Sequence, residues 1–219
     1  MSAFPNSPQL IKGGIVLIDP DTGVVQRIIV LQYNPDTLSR TLQVQAVTPE
    51  SQNRSEALRL KGPPVETFKL EAEIDATDQL EQPDQNPNAV QYGVQPQLAA
   101  LEMLIYPTSV QLLENNSLAQ NGTLEIAPME APLSLFVWSR NRIVPVRITE
   151  FSVTEEAFDP NLNPIRAKVS LGMRVLSVDD VGFGDKSGNL YIAYQQQKER
   201  MSSLAPKGTF GSLGIGGIS

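Results

Sequence analysis

Phe68-Lys-Leu-Glu-Ala-Glu-Ile-Asp75 decides the fold class. Phe68, Leu70, Ala72 and Ile74 alternate with Lys69, Glu71, Glu73 and Asp75, a period of two that an extended chain turns into one apolar and one polar face. Lys168-Val-Ser-Leu-Gly-Met-Arg-Val175 repeats it, with Val169, Leu171, Met173 and Val175 on the apolar side. A third stretch changes phase: Val144, Val146 and Ile148 fall on even positions, Phe151 and Val153 on odd ones. That switch predicts a bulge or bend near Thr149-Glu150 and hence a curved sheet.

Working outward, Ile15-Val-Leu-Ile18, Ile28-Ile-Val-Leu31 and Leu133 to Trp138 are apolar on both sides and rich in β-formers, so they read as strands covered on both faces. Asp19-Pro-Asp-Thr-Gly23 is a turn sequence and makes residues 14–33 a hairpin. Asn34-Pro35-Asp36 breaks the run before Leu42, Val44 and Ala46 continue it. Two amphipathic helices are expected. One lies in 97–106, with Leu98, Leu101, Leu104 and Ile105 on one face and Pro107 ending it; the other runs from an Asn189 N-cap to Leu204, with Leu190, Tyr194, Met201 and Leu204 inward. The Gln/Pro-rich stretch 77–97 reads as a mobile loop and 206–219 as a Gly/Ser tail.

Composition excludes most chemistry. The 219 residues contain no Cys and no His, which removes disulfides, thiolates, imidazole bases and Cys/His zinc sites. With 17 basic and 24 acidic residues the net charge is −7, unsuited to neutralising phosphates, so no nucleic acid is expected as a partner. No stretch approaches the ~18 consecutive apolar residues of a spanning helix, and residues 1–14 do not form a secretory signal. No direct membrane insertion and a cytoplasmic site of assembly are therefore expected. Carboxylates cluster at Glu71/Glu73/Asp75, Glu155/Glu156/Asp159 and Asp179/Asp180, but solvated or interface faces explain them better than a hydrolase acid pair. Asp19-x-Asp21-x-Gly23 lacks the closing Glu of a calcium loop, and Gly182-Phe-Gly-Asp-Lys-Ser-Gly188 lacks the order of a phosphate loop. No catalytic, cofactor or metal site is expected.

Arg27-Ile-Ile-Val-Leu-Gln-Tyr-Asn34-Pro35-Asp-Thr-Leu38, Phe136-Val-Trp138, Arg142-Ile-Val-Pro145-Val-Arg-Ile148 and Glu155-Glu-Ala-Phe158-Asp-Pro-Asn-Leu162-Asn163-Pro164-Ile-Arg-Ala-Lys-Val169 resemble the tube-like adaptor proteins of contractile injection systems. The resemblance runs from about Gly14 to Leu176. It implies a mainly β (α+β) fold like a tail-tube subunit, with two packed antiparallel sheets or a β-barrel, a docked helix and a C-terminal helix. Residues 1–176 would form the tail-tube-like β domain and 177–219 a C-terminal helix and Gly-rich tail. Many relatives carry a C-terminal LysM module, which is not evident after Leu176 here.

The function implied is structural: a homohexameric ring between spike and inner tube that initiates tube assembly. Its partners would be the spike or hub protein, the inner-tube protein and the baseplate wedge proteins. The alternatives are an inner-tube or tail-terminator component, or a soluble β-sandwich that binds ligands or hydrolyses substrates. Asn34, Pro35, Pro145, Phe158, Leu162, Asn163 and Pro164 are the fold-specifying or interface candidates, with Phe158 and Leu162 expected to pin the 159–164 turn onto the core. Glu71, Glu73 and Asp75 are the candidates for a lumen or interface face.

Overall fold

In the computed structural model, which describes residues 10–20, 22–46, 59–120 and 132–218, seven strands form one hydrogen-bonded sheet in the order β2-β1-β5-β6-β7-β4-β3. The strands are β1 (Gly14–Ile18), β2 (Val25–Val30), β3 (Leu38–Gln43), β4 (Val65–Asp75), β5 (Leu133–Ser139), β6 (Arg142–Phe158) and β7 (Pro164–Val175), and every pairing is antiparallel. The chain is mainly β, as the alternation implies. The Asp19 turn closes the β1–β2 hairpin, its carboxylate accepting from the Thr22 amide and hydroxyl. The phase change in β6 is a bulge: the β6–β7 register slips between Ile148 and Glu150. Gly172 faces that bulge, and a Cβ there would lie 2.7 Å from Glu150 Cβ, so the close approach demands glycine.

Curvature makes the core. β4 and β5 are separated by β6 and β7, about 14 Å in a flat sheet at ordinary strand spacing. Yet Phe68 of β4 and Phe136 of β5 have ring centroids 5.4 Å apart. The sheet therefore curls until its two halves face each other, and one cluster joins Ile15, Leu17, Phe136, Val144 and Val146 to Phe68, Leu70, Val169 and Met173. Where the curl nearly closes, Gln32 clasps the backbone of Asp75: its Nε2 donates to the carbonyl at 2.7 Å and its Oε1 accepts from the amide at 3.0 Å.

The stretch 77–97 is not an irregular loop. It folds as α1 (Thr77–Leu80), a 3-10 turn (Pro83–Gln85) and α2 (Pro87–Tyr92), followed by α3 (Gln95–Glu102). Prolines stand in the first turn of α2 and α3, where a missing amide costs nothing. Gly93 ends α2 at φ +59 with a would-be Cβ 2.1 Å from the Pro164 carbonyl oxygen, so only glycine fits. α3 starts earlier than expected and buries Leu98 and Leu101, with Leu104 beyond it, whereas Ile105 is exposed. α4 (Ser109–Gln120), absent from the sequence reading, buries none of its residues. α5 (Lys186–Ser203) starts at Asp185 rather than Asn189, and buries Tyr191 and Tyr194 while Met201 and Leu204 stay exposed.

Candidate assembly surface

The candidate residues divide by what holds them. Asn34 is a strap: its Oδ1 accepts from the Gly13 amide and its Nδ2 donates to the Ile11 carbonyl, both at 2.9 Å, with Pro35 half-buried beside it. Pro145 is fully buried in β6. Its carbonyl accepts from the Leu176 amide, just past the end of β7, so its missing donor falls where the ladder has run out. Asn163 and Pro164 organise the β6–β7 turn around Asp159. The Asp159 carboxylate accepts from the Asn161 and Asn163 amides and from Asn163 Nδ2 at 2.7–2.8 Å. Hydrogen bonds from Asn163, side chain first, hold it below the usual carboxylate range. Asn163 Nδ2 also donates to the Gln91 carbonyl, and the Val94 amide donates to the carbonyl of the buried Pro164, so this turn positions α2 and α3.

Phe158 and Leu162 do not pin that turn. They are 50% and 77% exposed. After the bulge the odd positions of β6 face the core, so Phe158 shares the outward face of Glu150 and Glu156. Leu162 sits at the turn with φ +66, its side chain outward.

Glu71, Glu73 and Asp75 do share the outer face of β4, but that face is not acidic. Arg166 Nε lies 2.8 Å from Asp75 and 3.9 Å from Glu73, Lys168 pairs with Glu156 at 3.4 Å, and Lys69 with Glu150 at 2.6 Å. Glu71 faces Ser170 across the ladder. Burial pushes the Asp75 carboxyl up, but hydrogen bonds from the Thr77 hydroxyl and amide, and from Arg166, outweigh it and hold it below its ordinary value. The outer side of β4–β7–β6 is thus a lattice of alternating charge.

The other half of the sheet has an apolar outer side. Val30, Gly14, Val137 and Ile143 lie in one cross-strand row, and Ile28, Val16, Leu135 and Pro145 in the next. Leu176 and Leu190 cover the end carrying Ile18, Leu133 and Leu135, while Ile28, Val30 and Ile143 stay 63%, 57% and 40% exposed. Among the described residues β2 pairs only with β1 and β3 only with β4, so the outer edge of each carries no ladder, with the Gln32 clasp just past the end of β2.

One residue on the inner side escaped the sequence reading. Glu66, 3% exposed, accepts from the Tyr194 hydroxyl and Lys198 Nζ, each at 2.7 Å, with Arg40 Nε 3.8 Å away. It anchors α5 to β4. Burial and then this carboxylate push the Tyr194 phenol well above its usual range. The available signal was a carboxylate in phase with Phe68 and Leu70. Among the described residues no group of three or more His, Cys, Asp or Glu could hold a metal ion, and no helix is long and apolar enough to cross a membrane.

A profile of the contractile injection system tube protein family matches residues 17–179. No curated protein matches the chain. Among solved structures, a chain from the tail of an empty GTA particle, computed with helical refinement in C6 symmetry, is 14% identical, with 75% of this chain and 90% of that chain covered and a TM-score of 0.29. The family match runs from the end of β1 past the end of β7 and takes in both outer faces of the sheet, and on that extent the chain belongs to the contractile injection system tube protein family.

Proposed function

We propose that this chain is a non-enzymatic ring subunit of a contractile injection particle, a homohexamer seated between the spike and the inner tube that starts tube growth. The observation that supports the reading is the pair of edges that carry no ladder among the described residues, β2 at one end of the sheet and β3 at the other. Two different edges on one subunit make a head-to-tail interface, and repeated rotation of such an interface closes a ring. The spike lies below this ring, the inner tube stacks above and the baseplate wedges surround it; its fixed geometry is the template on which the tube polymerises. The face carrying Glu71, Glu73 and Asp75 lines the lumen. Interleaved with Lys69, Arg166 and Lys168, it holds neither cationic nor anionic cargo, because no patch of one sign is large enough to attract it.

Tagging the protein in cells that express the particle's genes, purifying sedimenting particles and locating the tag by electron microscopy tests this. Signal at the spike-proximal end, with about six copies as a hexameric ring requires, supports the adaptor role. Signal along the whole tube makes it the tube polymer, signal at the opposite end a terminator, and absence from particles a soluble binding or hydrolytic domain.

A further inference from the structure

Among the described residues two apolar surfaces lie uncovered. One is the outer face of β2, β1, β5 and the start of β6, where Ile28, Val30, Val16, Val137 and Ile143 form a continuous patch across four registered strands. The other is the segment after α5. Residues 205–218 are all exposed, including Phe210, Leu213, Ile215 and Ile218.

We infer that residues 205–218 are a strap that seats on the apolar β2–β1–β5–β6 face of a second copy. The inference rests on the self-assembly reading above and names the contact that would join neighbours. Charge selects the face. Lys207 is the only charged side chain in the segment, so it suits an apolar surface and not the lattice of Lys69, Glu150, Arg166 and Lys168 on the other half. The glycines agree. A Cβ added to Gly208, Gly216 or Gly217 would meet nothing within 4 Å, and none of these has the positive φ of Gly214. The monomer gives no reason for glycine there, whereas a backbone lying close on a sheet does.

Reach is sufficient. Met201 and Ser202 line a groove with Ser139, Asn141 and Arg142, so the segment leaves from the β5–β6 turn. With the 3-10 turn Phe210–Leu213 kept, the fourteen residues 205–218 still span up to about 40 Å, enough to cross to a neighbour. In the isolated chain the segment and the patch remain exposed to solvent, which leaves the patch open to another copy.

The chain has no cysteine, so introduced thiols report unambiguously. One copy carrying Val30→Cys and another carrying Leu213→Cys are expressed together with the particle's genes, and purified particles are oxidised. The expected result is a covalent dimer of the two copies, absent when Lys69→Cys replaces Val30→Cys. No dimer from variants that both enter particles in normal number overturns the strap and leaves the ring reading standing. Failure of the unsubstituted chain to enter particles overturns both. A chain carrying Val30→Cys and Leu213→Cys together that closes only on itself also overturns the strap. A chain ending at Leu204 provides a second measure: it should unfold like the full chain while its copies per particle drop about tenfold, a loss of one decade in binding. Normal incorporation of that chain would overturn the strap.

Discussion

The two halves of the sheet share an interior and differ outside. β4, β7 and the far part of β6 present Glu73, Asp75, Arg166, Lys168, Glu156, Lys69 and Glu150 in alternating sign, while β2, β1 and β5 present Ile28, Val30, Val16 and Val137. Both halves pack apolar side chains on one interior; the outer side was free to record its surroundings. Exposed ion pairs contribute little to stability, about 0–1 kcal/mol each, so the charged lattice marks a face that stays wet. A contiguous exposed apolar patch costs solubility and persists where a partner covers it.

The sharpest way to break the contrast is to unfold the interior that both faces share. Phe68→Ala should cost about 3–5 kcal/mol and lower the urea midpoint in a single transition. Two separate transitions would mean that the halves are independent units rather than two sides of one sheet. Glu66→Gln should cost about 1–3 kcal/mol by weakening the buried anchor of α5. Because Leu190 of α5 covers the Leu133 and Leu135 end of the apolar side, hydrophobic-dye binding should rise. An unchanged dye signal would detach α5 from the extent of that face.

On the charged side the effects are smaller. Arg166→Leu should cost about 1 kcal/mol or less, read from the urea midpoint, since the Arg166 side chain is 43% exposed. The same pair has a pH signature. Asp75 titrates below its ordinary value of 3.8, so its contribution is present above that pH and fades as pH falls through the lower folded value. Unfolding midpoints measured from pH 5 downward should therefore converge for the wild type and Arg166→Leu at the acid end. The smallest change is expected on the apolar side: Val30→Thr should alter the isolated chain by about 0.5 kcal/mol or less while reducing copies per particle. A stability loss without an assembly loss would show that the patch serves the monomer.

What could be read from sequence was what neighbouring residues decide. The alternation of Phe68–Asp75 and the phase change at Thr149 are local, and each appears where expected. α1, the 3-10 turn and α2 were hidden because Gln, Asn and Pro dominate 77–92, and the prolines, which suggest a loop, stand in first turns. α4 has leucines without a buried stripe. Its one sign was the Thr108–Gln111 capping pair, in which the Thr108 amide donates to Gln111 Oε1 and the Gln111 amide to Thr108 Oγ1. Ile28 to Leu31 read as covered on both faces; Ile29 and Leu31 pack on the core while Ile28 and Val30 stay exposed. The Asp75–Arg166 pair and the Glu66 anchor join residues 91 and up to 132 positions apart, beyond the range of any local pattern.

The clasp of Gln32 on Asp75 determines how the subunit bears force. From β2 round to β4 the five strand-to-strand joints of the curl are ladders; the sixth, between the residues just after β2 and the end of β4, is one side-chain amide holding one peptide unit. A tension that spreads the curl meets many backbone hydrogen bonds everywhere except at this seam. The subunit therefore yields first between Gln32 and Asp75, opening like a split collar while every ladder remains zipped.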